Sequence, residues 1–178
     1  KHKIDPHKDI DLIQNIDFAN IANAFASGTG EYVQLFEPQA SLFEKKGIGH
    51  IVASFGEESG EVPYTTFMAK QSYLKKNEDT AVKFTKAIYK AQQWVENHSA
   101  KDITDAIKDE FDDTDPDVIE TSIERYKKQH SYSPDPLLNE KEWELLQTIM
   151  DKSGELPKHI PYNQLVNKEI AEKVTSEK

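Results

Sequence analysis

The side chains in this chain that could do chemistry are its carboxylates and histidines, and one carboxylate stands apart by position. The stretch GTGEYVQLFEPQASLFEKKG, residues 28–47, reads as strand, turn and helix. Tyr32, Val33, Leu35 and Phe36 form a short apolar run, Glu37 follows it, and Pro38 comes directly after. Glu37 has two readings. As a carboxylate beside a helix start, it complements the positive end of the helix dipole. As a carboxylate where a strand ends, it lines a binding cleft, because open parallel sheets bind ligands beyond the carboxyl ends of their strands. A second such strand end is SFGEESG, residues 54–60. The residue pattern leaves these two readings open.

The remaining titratable and small residues point away from catalysis. The six histidines are His2, His7, His50, His98, His130 and His159, and no two have the i, i+4 spacing of a helical zinc site. No metal site is expected. The paired carboxylates Glu57/Glu58, Asp112/Asp113 and Asp115/Asp117 read as solvated loop residues in an acidic chain. SFGEESG lacks the flanking glycine spacing of a nucleophile elbow. GTG and GIG lack the third glycine of a phosphate-binding turn, so no nucleotide or other cofactor is expected.

These residues must be positioned by a chain of 178 residues, enough for one ordinary domain or two small lobes. It is 37% hydrophobic, which suits a packed core and argues against disorder. A net charge of −10 argues against a nucleic-acid partner, which would need a basic stripe. No apolar run approaches the roughly 20 residues of a membrane-spanning helix. Cysteine is absent, which excludes disulfides and thiolate metal sites.

Hydrophobic periodicity divides the chain into two styles. Residues 9–14, 31–36 and 50–55 read as strands, with helices over 15–30 and 38–47 between them. That alternation predicts an α/β fold with a parallel sheet. Residues 56–63 read as a loop and 64–70 as a further strand. Beyond residue 72 the pattern is helical. Ala81, Phe84, Ile88, Ala91 and Val95 form one stripe, and Trp94 and Trp143 read as core residues. Ser99 with Asp102, and Asn139 with Glu142, have capping-box spacing. Ile103, Ala106, Ile107 and Phe111 form the next inward stripe, then Ile119, Ile123 and Tyr126. Trp143, Leu146, Ile149 and Met150 follow, and a last helix carries Leu165, Val166 and Ile170.

Several phrases together carry a family resemblance. AFASGTGEYVQLFEP, GIGHIVASFGEESGEVPYTTFMAKQSYLKKN, AIYKAQQWV and the closing IMDKSGELPKHIPYNQLVNKEIAEKV resemble the solute-binding proteins of ABC importers for nitrate, sulfonates, taurine and thiamine-precursor aminopyrimidines. The EP and PYT phrases carry the likeness jointly. Where that family has Asp, this chain has Glu31.

The resemblance implies part of a two-lobe periplasmic-binding-protein type II fold. Residues 1–53 would be the end of lobe 2, and residues 54–178 the return to lobe 1 with the C-terminal helices. It implies that the chain is the C-terminal portion of such a protein, a fragment expected to self-associate. It also implies binding without catalysis. The partners would be a small organic solute (a sulfonate, taurine or an aminopyrimidine) and the ABC permease and ATPase. The location would be extracytoplasmic, with a lipid anchor outside this chain. Glu37, Phe36, Pro38, Tyr64, Thr65 and Gly56 become the ligand-binding candidates. An acidic residue there leans against a bare anion such as nitrate. The rival readings are an α/β enzyme using Glu37 or Glu58 as a base, and a helical interaction module.

Overall fold

The computed structural model describes residues 4–6 and 8–176, so the expectations for His2 and His7 fall outside the described residues. It divides into two compact units, Lys1–Val52 and Ala53–Lys178.

The first unit holds α1 (Ile21–Ala26) and α2 (Gln39–Lys45), with a 3₁₀ turn at Phe18–Asn20 leading into α1. Its centre is small. Phe43 and Ser41 of α2 are buried, and the ring of Phe43 stacks on Phe25 of α1 at 6.4 Å.

The second unit holds α3 (Phe55–Ser59), α4 (Gln71–Lys76), α5 (Glu78–Asn97), α6 (Ala100–Ile107), α7 (Pro116–Lys128), α8 (Glu140–Lys152), α9 (Tyr162–Leu165) and α10 (Glu169–Ser176). Here α6 packs on α7, and α10 packs on α5. Ala100, Ile103, Ile119 and Ile123 form the core, with Val95, Ile107 and Tyr132 packed against it.

The helix ends are fixed chemically. Ser99 and Asp102 form a complete capping box at α6. The Asn139 side chain accepts the Lys141 amide at the start of α8. At the far end of α5, the ammonium of Lys127 on α7 donates to the carbonyls of Val95 (2.6 Å), His98 (2.8 Å) and Glu96 (3.3 Å). Those carbonyls have no partner within their own helix, so Lys127 closes α5 from outside. Side chains also fix an irregular segment. Trp143 and Gln147, one turn apart on α8, bond the carbonyl and the amide of Ile160 at 3.0 and 2.7 Å. Tyr162 then donates to the carbonyl of Leu138.

The expected α/β fold with a parallel sheet is overturned: no strand forms among the described residues. Alternating apolar residues are a local signal, but a strand exists only where a neighbour supplies partners for its amides and carbonyls. The four expected strands have no such neighbour. Instead, Ile10, Leu12, Ile13, Tyr32, Ile51, Val52, Tyr64, Phe67 and Met68 are all exposed. The third strand's last residue, Phe55, begins α3, with Glu57 and Glu58 in its first turn. The 56–63 loop is therefore partly helical.

Three apolar stripes are also corrected. On α5, Phe84 and Trp94 are exposed. The inward face of that helix instead carries Val82, Thr85, Ile88, Gln92 and Val95. Gln92 is drawn inward by its bond to the carbonyl of Asp135, 2.9 Å away. Phe111 and Ile149 are likewise exposed. The last expected helix is two short ones, with Val166 at the break and Leu165 exposed.

Candidate functional site

Glu37 stands between an aromatic residue and a helix start, and its three-residue neighbourhood is organised around the first turn of α2. The carbonyl of Phe36 accepts the Ala40 amide at 3.1 Å, and the carbonyl of Pro38 accepts the Leu42 amide at 2.9 Å. Between them, the carboxylate of Glu37 accepts the Ser41 amide at 2.9 Å. Phe36 and Glu37 thus satisfy two first-turn amides that a helix cannot satisfy itself, and Pro38 accepts the first regular bond of α2. The Glu37–Pro38 peptide is cis.

This arrangement aims the carboxylate. Ser41 is 4% exposed, so the Oε2 end of Glu37 is held against the buried side of α2. The Phe36 ring beside it is 37% exposed and meets Phe18 at 5.8 Å with a 52° tilt. An oriented negative charge next to an accessible ring face can accept hydrogen bonds from an amine, an aminopyrimidine or a hydroxyl while a flat group lies on the ring.

The other candidates fall in the second unit. Gly56 is in α3, where a Cβ would meet the Gln129 amide nitrogen and the Ser54 hydroxyl at 3.5 Å, an ordinary contact distance. Those two groups belong to a relay: the Ser54 hydroxyl donates to Gln129 Oε1 at 2.5 Å, and Gln129 Nε2 donates to the Ser131 hydroxyl at 2.8 Å. The relay ties the start of α3 to the end of α7. Tyr64 and Thr65 lie on the irregular segment after α3, and both are exposed. The six candidates are therefore divided. Phe36, Glu37 and Pro38 are one local arrangement in the first unit, while Gly56, Tyr64 and Thr65 belong to the second.

Three contributors went unmarked in the sequence. Ser41 was legible in principle, four residues after Glu37 on a helix start. Phe18 and Gln129 carried no local signal, because their contacts cross long stretches of chain. Among the described residues, no group of three or more His, Cys, Asp or Glu is placed to hold a metal ion. No helix of the described residues is long and apolar enough to cross a membrane.

Residues 1–108 match the model of the NMT1-like family. No solved structure matches the chain.

Proposed function

The chain belongs to the NMT1-like family, a family of ABC-transporter solute-binding proteins, and on that premise we propose that Glu37 and Phe36 recognise the solute. As a member, it is an extracytoplasmic solute-binding component of an ABC import system, working with a permease and an ATPase. The finer reading is that the solute is a small organic molecule carrying an amine, an aminopyrimidine or a hydroxyl. Taurine, through its amine, and thiamine-precursor pyrimidines fit this description better than nitrate or a simple sulfonate. Pro38 fixes the backbone that aims the carboxylate. A lipid anchor outside these residues completes the reading.

The observation that carries it is the oriented Glu37 carboxylate beside the half-exposed Phe36 ring. A charge-assisted hydrogen bond is worth about 1.5–3 kcal/mol. Glu37→Gln keeps an oxygen for the Ser41 amide and removes only the charge. Titration calorimetry of the protein with an aminopyrimidine, taurine and nitrate should show the first or second binding, and the Gln variant losing about tenfold or more in affinity. Equal affinity of wild type and variant, with α2 intact by circular dichroism, would remove Glu37 from the site.

A further inference from the structure

The segment from Tyr64 to Trp94 has a charge opposite to that of the rest of the molecule. It holds six lysines (Lys70, Lys75, Lys76, Lys83, Lys86 and Lys90) against two carboxylates, Glu78 and Asp79, in a chain of net charge −10. Lys70, Lys75, Lys76, Lys83 and Lys90 are exposed and form no ion pair among the described residues. Six of the acidic protein's large exposed apolar side chains share this segment: Tyr64 at 78%, Phe67 at 76%, Met68 at 92%, Tyr73 at 48%, Phe84 at 46% and Trp94 at 37%.

The fold gathers these groups. Phe84, Ala87, Ala91 and Trp94 follow one another at spacings of three and four along α5, and all are exposed. Phe67 lies edge-on against Phe84 at 4.8 Å, which brings the segment before α4 onto this stripe. Lys83 and Lys90 flank the stripe on the same helix. Trp94 is steadied by stacking on His98 at 4.2 Å.

We infer that this stripe of α5, with the Phe67–Met68 segment laid against it, is a docking surface for an anionic lipid bilayer. Charge complementarity sets the partner: unneutralised lysines on a protein of opposite overall sign seek a negative surface. The aromatic content sets its kind. Rings with one polar edge, Tyr64 and Trp94, settle where hydrocarbon meets headgroups, and lysine stems reach past an apolar stripe to phosphate. Docking would hold this unit flat on the membrane that carries the permease. The inference rests on residues 64–94 and stands whether or not Glu37 contacts solute.

The test is sedimentation of the whole chain with phosphatidylcholine vesicles and with vesicles in which part of that lipid is replaced by phosphatidylglycerol. The expected result is partition onto the anionic vesicles only, weakening as salt is added. Lys83→Gln with Lys90→Gln should reduce partition about fivefold per lysine, roughly 30-fold together. Phe67→Ser should reduce it as well. Lys101→Gln with Lys108→Gln, on α6 and directly after it, should leave it unchanged. Trp fluorescence should shift to the blue on binding, and the shift should vanish in Trp94→Phe. Equal partition onto neutral vesicles, none onto anionic vesicles at low salt, or an unchanged Lys83/Lys90 variant would overturn the inference. So would binding to soluble polyglutamate without partition onto vesicles, which would assign the patch to an acidic protein.

Discussion

Lys127 places its ammonium nitrogen 2.6 Å from the carbonyl oxygen of Val95, 32 residues earlier in the chain. The same nitrogen reaches His98 and Glu96, so one cation serves three carbonyls at the negative end of a 20-residue helix. A partly buried cation at a helix C-terminus is worth up to about 2 kcal/mol. Lys127→Met keeps the stem's packing and removes the donors. It should lower the stability measured by urea unfolding by about 2 kcal/mol, with the transition slope unchanged. An unchanged midpoint would show that water satisfies these carbonyls equally well.

At the start of α2, Glu37 has a stability role separable from any solute. Glu37→Ala leaves the Ser41 amide without its carboxylate partner and should cost about 1 kcal/mol, in the range of lost helix caps. Glu37→Gln should cost distinctly less, because the amide oxygen can still accept. Thermal melts of the two variants that coincide would contradict the capping geometry.

Thr104 runs against the usual rule for buried polar groups. It is 3% exposed, and its hydroxyl has no hydrogen-bond partner among the described residues. Thr104→Val replaces a desolvated hydroxyl with a methyl of similar size. The variant should therefore be more stable than wild type, by about 1 kcal/mol. A destabilised variant would mean that the hydroxyl is satisfied in solution.

The capping box at α6 gives a pH dependence of known sign. The Asp102 carboxyl is held below its usual range, first by the Ser99 hydroxyl and then by the Ser99 amide. A carboxylate whose folded pKa is depressed stabilises fully above the unfolded value of about 3.9, and that stabilisation is lost as pH falls through the lower folded value. Carboxylate titration by NMR should find Asp102 protonating at more acid pH than an ordinary aspartate. In Ser99→Ala its midpoint should rise towards the ordinary value. A midpoint that does not move would show that Ser99 is not the cause.

The helical part of this fold was legible where the signal was local. Ser99 with Asp102, Asn139 with Glu142, and Pro116 at the first turn of α7 mark helix starts that the structure contains. The facing of α5 was not legible. Gln92 turns inward to meet the Asp135 carbonyl, 43 residues later, and this rotates Phe84 to the outside. The expected strands failed for a related reason. Their alternation described side chains, whereas a sheet depends on backbone partners that no local pattern supplies. At the candidate site, the EP phrase located Glu37, but its ring neighbour Phe36 meets Phe18 through a contact with no sequence signature.

The clamp on Ile160 has a dynamic consequence. Residues 157–161 have no regular secondary structure, and amides in such segments ordinarily exchange with solvent quickly. The Ile160 amide is instead held by Gln147, itself 3% exposed on α8, and the matching carbonyl is held by Trp143. It can be released only when that face of α8 opens. Deuterium uptake at this single loop position should then follow the same opening free energy as the middle of α8, making a residue outside any helix a reporter of that helix's local unfolding.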